Sequence, residues 1–326
     1  MCTAIGHVRL TPESGHWRRT NQCPLGAISG HHRYLPKCTI SHMIFRDVHQ
    51  NGQPGMTSSS TFKASDGDGY ELVMGRWSRR LAEPFLDFSG STDGEQVLDV
   101  GCGTGSLTFA LVARAKIKSI CGLDFSPEYI NYASRRNSDP RVEFKVGDAS
   151  ALPFPDRSFD RVLSLLMLHF VPQTDQAVAE MRRVARPHST VAAAVWDARG
   201  GYVANRILFD TAAMLDPAAN ERRARNYTRP MTRPGELATA WRKAGFENVH
   251  EGTLTIRMEF ASFSDYWVPY VGKEGPVAEY VSTLSADKQQ KLKDAVERAY
   301  LDGEQDGVRS YAATAWVVRG TTPRLN

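Results

Sequence analysis

The chain has no long apolar run. Nothing in its 326 residues approaches the ~18 consecutive apolar positions of a membrane-spanning helix, so no membrane span is expected. Cysteine is scarce: Cys2, Cys23, Cys38, Cys102 and Cys121 are all there is, and no two form a C-x₂₋₄-C pair. That spacing argues against the common zinc modules. Cys102 and Cys121 fall in or beside strand-like stretches and read as thiols, which suggests a reducing compartment such as the cytoplasm. The body also lacks net charge. The first 55 residues hold six of the 40 Lys/Arg and two of the 36 Asp/Glu, so the formal +4 lies entirely there. A neutral body argues against a nucleic-acid partner, because such binding is driven mainly by phosphate neutralisation. Histidine is nearly missing too: His169 is the sole one between residues 50 and 187.

Residues 1–55 show neither helical nor strand periodicity. They are rich in Gly, Pro, His and Arg, and hold six of the nine histidines (His7, His16, His31, His32, His42, His49). A zinc site is the sharp reading, but the wide cysteine spacing is against it. A transit peptide would be acid-poor like this segment, but also amphipathic, which this is not. The expectation is a disordered extension, with Met43 and Met56 as later starts. No metal is required by anything in 56–326.

What is present begins at Val97-Leu98-Asp99-Val100-Gly101-Cys102-Gly103-Thr104-Gly105. An apolar run reads as a buried strand. Glycines at alternate positions turn the chain into a helix opening at Ser106-Leu107-Thr108. Glycine permits the sharp turn and lets a ligand lie on bare backbone, and the helix N-terminus offers unpaired N–H groups. A dinucleotide fingerprint would have glycine at the sixth position, where Ser106 stands. Ser119 to Asp124 reads as a second strand, ending in an acid about 20 residues after the glycines, where a carboxylate can accept both ribose hydroxyls. Phe125 beside it is placed to lie against a base. Ser126-Pro127-Glu128 starts a helix as N-cap, first position and dipole-matched acid. Val142 to Asp148 alternates as a third strand, again with an acid at its carboxyl end.

Val97 to Gly105, followed by Leu152-Pro153-Phe154-Pro155-Asp156-Arg157-Ser158-Phe159-Asp160, resembles the class I S-adenosylmethionine-dependent methyltransferases, most of all the small-molecule group that includes the quinone-biosynthesis C-methyltransferases. The resemblance covers roughly residues 70–320 and is strongest over 95–197. It implies an α/β fold: a doubly wound, seven-stranded, mostly parallel Rossmann-like sheet with a helical lid and an antiparallel last strand. It implies S-adenosylmethionine as cofactor. The loop residues Gly101, Cys102, Gly103 and Gly105 would wrap the methionine part, and Asp99 would fix the loop and reach the amino group. Asp124 and Phe125 would hold the ribose and adenine, and Asp148 and Ala149 the adenine edge. Leu165, at the end of the fourth strand, and Trp77 would complete the site, with Tyr70, Arg76 and Ser78 as further candidates to close over the methionine end. Where the family has Pro-Gly-Gly before strand five, this chain has Pro187-His188-Ser189.

His169 lies just past strand four, at the carboxyl edge of the sheet. An imidazole of near-neutral pKa there is a candidate catalytic base. Two readings exist for Arg222, Arg223, Arg225, Arg229 and Arg233: a solvated helix face, or an anion-holding group. Similarly, Phe263, Tyr266, Trp267, Tyr270 and Tyr280 either cover a flat or apolar acceptor or form the core of their own lid. The expected division is an extension (1–55), cofactor-covering helices (56–93), a cofactor-binding core (94–197), and a lid with closing strands (198–326). The expected activity is methyl transfer to a small-molecule acceptor. A nicotinamide-dependent oxidoreductase and a non-catalytic cofactor-binding protein are the alternatives, since fold alone does not decide function.

Overall fold

Seven strands, β1 (Gln96–Val100), β2 (Ser119–Asp124), β3 (Val142–Val146), β4 (Phe159–Leu165), β5 (Ala185–Trp196), β6 (Glu247–Phe260) and β7 (Arg309–Thr321), form one sheet in the order β3-β2-β1-β4-β5-β7-β6. The computed structural model describes residues 60–324 apart from 63, 65 and 273. The expected extension at residues 1–55 lies outside them. β1 to β5 pair in parallel, and β7 runs antiparallel to both β5 and β6. The helices are α1 (Gly67–Tyr70), α2 (Arg76–Ser89), α3 (Ser106–Arg114), α4 (Pro127–Arg136), α5 (Thr174–Val184), α6 (Val203–Leu215), α7 (Pro217–Tyr227), α8 (Glu236–Lys243), α9 (Phe263–Tyr270), α10 (Gly275–Ser282) and α11 (Ala286–Leu301).

The central strands are apolar on both faces because helices cover both. Val97, Ile120, Leu163, Ala192 and Ala194 pack with Trp77 and Leu81 of α2 and Leu107 and Leu111 of α3. Their neighbours Leu98, Cys121, Val162, Val191 and Ala193 face the other way, onto Val178 and Met181 of α5 and Leu237 and Trp241 of α8. Trp241 also donates its indole N–H to the Val191 carbonyl at 3.1 Å. At the amino end of the sheet, Arg161 is buried and forms a forked pair with Glu95 through Nε and an Nη, both at 2.7 Å. Its other guanidinium contacts cap the carbonyls of Ser89 and Gly90, so the ion is fully matched.

α2 runs through Pro84, because the buried stripe of Trp77, Leu81, Ala82, Phe85 and Leu86 outweighs one lost backbone bond. The irregularity lies earlier, in a π-helical turn at Glu71–Gly75. Thr174 is the first residue of α5. α11 turns Leu292, Val296 and Tyr300 inward, while Ala299 is exposed. β5 begins at Ala185, upstream of the Pro187-His188-Ser189 turn. His188 takes the positive φ of +60° that glycine would adopt freely, and its N–H is bonded to the Thr322 carbonyl. Ser126 caps α4 as expected, accepting from the Tyr129 N–H.

Candidate active site

The carboxyl ends of β1, β2, β3, β4 and β5 open into one cavity of about 1400 Å³ including its mouth.

The glycine loop forms the floor. Gly101 and Cys102 donate their N–H groups to the Leu123 carbonyl, at 2.7 and 3.0 Å, which ties the loop to β2. Gly101 has φ +75°, and a Cβ there would stand 2.2 Å from Cγ of Met167. Gly103 is different: a Cβ on it would meet nothing nearer than the Tyr70 ring at 3.9 Å, so its bare backbone faces the cavity. Asp99 is fully buried beneath the loop and accepts from the Thr108 hydroxyl at 2.7 Å. Its second oxygen has no partner. Burial, and then the charge of Asp124, push its carboxyl up to about 7, against the relief of the Thr108 bond.

Asp124 closes β2 and lines the cavity. It accepts from the N–H of Gly103 at 2.8 Å and of Ser126 at 2.9 Å. One carboxylate thus locks the loop to the start of α4. Burial raises its pKa, while those backbone bonds hold it down. Phe125 is 41% exposed at the rim. Asp148 is held by the N–H and hydroxyl of Ser150 at 2.8 and 2.7 Å, and Ala149 lies next to it on the same wall. Leu166, just past β4, sits at φ +64°, a conformation strained for a leucine, with its N–H bonded to the Ala194 carbonyl.

The far half of the cavity is made by side chains from distant segments. Trp196 ends β5 with its indole N–H buried and unpartnered. Tyr70 packs on Tyr129 at 5.0 Å and shares a hydrogen bond with Ser78 at 3.3 Å. Glu274, before α10, is buried and accepts from the Tyr129 hydroxyl at 3.2 Å and from the Asp66 N–H. Tyr270 comes from α9, and Asn226 and Arg229 from the end of α7 and the turn after it. His169 is 5% exposed beside Phe170, at 4.1 Å between rings, and its Nδ1 has no partner. Burial first, then the charge of Arg229, push its pKa down from 6.5 to about 3. The near-neutral base expected at this position is therefore a neutral imidazole. Among the described residues no group of three or more His, Cys, Asp or Glu converges as metal ligands do.

A family model described as a methyltransferase domain matches residues 98–193. Residues 98–193 are thus similar to methyltransferase domains. The chain is 40% identical over 95 residues to a fatty-acid O-methyltransferase of Mycolicibacterium smegmatis, covering 29% of this chain and 35% of that protein. It is 33% identical over 144 residues to an erythromycin 3''-O-methyltransferase of Saccharopolyspora erythraea (43% and 46% covered). It is 40% identical over 116 residues to a demethylmenaquinone methyltransferase of Renibacterium salmoninarum (36% and 47%). The chain thus spans about a third to a half of the length of these relatives. Among solved structures, phosphoethanolamine N-methyltransferase 2 of Haemonchus contortus in complex with S-adenosyl-L-methionine shares the fold, with a TM-score of 0.52 at 16% identity, covering 79% of this chain and 57% of that one.

Of the residues singled out from sequence, the ends of β1 to β4 and the turns after them bring Gly101, Gly103, Asp124, Phe125, Asp148, Ala149, Leu165 and His169 to the cavity wall. Asp99, Cys102 and Gly105 lie outside that wall; Cys102 is buried, and Gly105 directly precedes α3. Trp77 is not at the site. It is buried against Phe260 with Arg76 stacked over it at 4.3 Å, because α2 turns that face into the core. Arg76 is itself paired to Asp265 at 3.0 Å. Tyr70 is the one member of that group on the wall. Of the lid aromatics, only Tyr270 lines the cavity. Phe263, Tyr266, Trp267 and Tyr280 are buried in the lid, where Tyr266 donates to the Ala204 carbonyl and Tyr280 to Asp216. Sequence reasoning missed Tyr129, Trp196, Asn226 and Glu274. For Trp196 a signal existed, its place at the carboxyl end of a strand; for Asn226 and Glu274 there was none.

Proposed function

We propose that this chain transfers a methyl group from S-adenosylmethionine to a small-molecule acceptor. The observation that carries the reading is the meeting, on one cavity wall, of bare Gly103 backbone, the loop-locking Asp124 carboxylate and the Asp148-Ala149 edge, opening onto a second, largely apolar half. The residues fit the cofactor. A Cβ at Gly103 would occupy its space, and Asp124 keeps acceptor capacity beyond the bonds it makes to backbone. When bound, the cofactor supplies an electrophilic methyl carbon on a sulfonium centre.

The chain's own work is holding and excluding. Gly101, Gly103 and the start of α3 receive the methionine part, with Cys102 and Gly105 shaping the loop and Asp99 bracing it from below through Thr108. Asp124 accepts from the ribose hydroxyls, and Phe125, Asp148, Ala149 and Leu165 receive the adenine. The wall from Tyr70 to Tyr270 keeps water out, and in-line transfer then gains mainly from positioning. None of His169, Tyr70 and Tyr270 is a base near neutral pH, since His169 lies at about 3 and burial pushes both tyrosines up to about 12. His169 therefore serves as a neutral hydrogen-bonding group, and the acceptor arrives already nucleophilic. The setting is a reducing one such as the cytoplasm: Cys102 and Cys121 are free, buried thiols. No helix among the described residues is long and apolar enough to cross a membrane.

The test is calorimetric titration of the full chain with S-adenosylmethionine, S-adenosylhomocysteine, NAD and NADP. Binding of the first two alone is the expected result. Binding of a nicotinamide nucleotide in their place would overturn the reading.

A further inference from the structure

The five arginines between residues 222 and 233 do not share one fate. Arg222 pairs with Glu279 at 3.7 Å, Arg223 with Asp210 at 3.0 Å, and Arg233 with Glu236 at 3.8 Å. Arg225 is exposed. Arg229 alone is drawn into the cavity, its guanidinium 4.4 Å above the Phe170 ring. It donates through Nε to the Asn226 amide oxygen at 3.1 Å and through an Nη to the Thr61 hydroxyl at 3.2 Å. Among the described residues it forms no ion pair with any carboxylate. Burial lowers its pKa, so the protein removes water from this charge without matching it.

Asn226 supplies an independent sign. It is 9% exposed, and its Nδ2 has no partner. The bond from Arg229 fixes its oxygen and therefore leaves the NH₂ group as an unmet donor at the same spot. The acids that line the cavity cannot satisfy either group, because they are engaged elsewhere: Asp124 with the glycine loop, Asp148 with Ser150, and Glu274 with Tyr129 and Asp66. A half-buried cation without a counter-charge and a buried amide donor without a partner are both costly, and they persist where a ligand completes them.

We propose that Arg229 and Asn226 hold the carboxylate of an anionic, otherwise apolar acceptor. The proposal rests on the methyl-transfer reading for what happens to that acceptor, but the binding site itself does not. A planar guanidinium and one amide donor match the two oxygens of a carboxylate, whereas a phosphate dianion would leave further oxygens unmet beside Phe170. Apolar walls from Phe170, Val171 and Val277 suit the remainder of such a molecule.

The experiment is calorimetry of the full chain, with and without saturating S-adenosylhomocysteine, using decanoate, decanamide and decyl phosphate as probes. Decanoate is expected to bind about tenfold or more tightly than decanamide, since a charge-assisted bond is lost in the amide. Arg229→Gln and Asn226→Asp should each abolish that preference and leave S-adenosylhomocysteine affinity unchanged, and Arg229→Lys should restore part of it. If Arg229→Gln fails to fold, the near-isosteric Asn226→Asp decides alone. Equal binding of acid and amide, preference for the phosphate, or a preference that survives in Asn226→Asp would overturn the proposal. Failure of S-adenosylhomocysteine to bind would overturn the methyl-donor reading instead, and titration without it would still decide the carboxylate site.

Discussion

The two halves of the cavity are built differently. The half at the glycine loop is mostly backbone, contributed by three consecutive strand ends and locked by one carboxylate. The opposite half consists of side chains such as Tyr70, His169, Trp196, Asn226, Arg229, Tyr270 and Glu274, brought together from segments far apart in the chain. Backbone sites tolerate little change, because a Cβ or a lost acceptor moves the loop itself. Side-chain sites can be altered one group at a time while the fold remains. The contrast suits a common donor paired with a variable acceptor.

The largest effect expected breaks the backbone half. Gly101→Ala places a Cβ 2.2 Å from Met167 Cγ at φ +75°. Positive-φ strain and overpacking together should cost about 2–5 kcal/mol in urea unfolding and remove S-adenosylhomocysteine binding. Retained affinity would show that the loop has slack. Next comes Asp124→Ala, which removes the acceptor for Gly103 and Ser126 and, on this reading, for the ribose. Affinity for S-adenosylhomocysteine should fall at least about tenfold, with calorimetry as the check.

Smaller effects distinguish the halves by pH. Asp99, in the loop half, has its carboxyl raised from 3.8 to about 7. The stability it lends is complete below the unfolded value and is lost as pH rises through 7. His169, in the acceptor half, is lowered from 6.5 to about 3, so its contribution is complete above 6.5 and is lost as pH falls toward 3. Relative to the parent, Asp99→Asn should therefore gain stability as pH rises from 4 to 7, and His169→Phe as pH falls below 6.5. Urea midpoints measured across that range report both, and parallel curves for parent and variants would contradict the assignments. The smallest effect is at the rim. Phe125→Ala should weaken S-adenosylhomocysteine binding only a few-fold, about 1 kcal/mol, because the ring is already 41% exposed.

The first strands, the glycine turn and the acids at Asp124 and Asp148 were legible because each is a local pattern. Strand period, loop geometry and the distance from loop to acid are all set within a short span of chain. The misreadings came where burial overrides local preference. Trp77, expected at the cofactor site, faces the core because α2 buries that side. Ser126 as cap was read correctly because capping is short-range.

The sequence by itself determined successive strands with a nucleotide-type glycine loop and acids at their carboxyl ends, since periodicity, glycine and capping act between near neighbours; the doubly wound sheet was what its resemblance implied. Only the tertiary structure decided which arginine of a run of five enters the cavity, that His169 is neutral, and that Trp196, Asn226 and Glu274 share a wall with the loop. Those properties depend on desolvation and on contacts between segments far apart in the chain, and neither leaves a periodic trace in the residues.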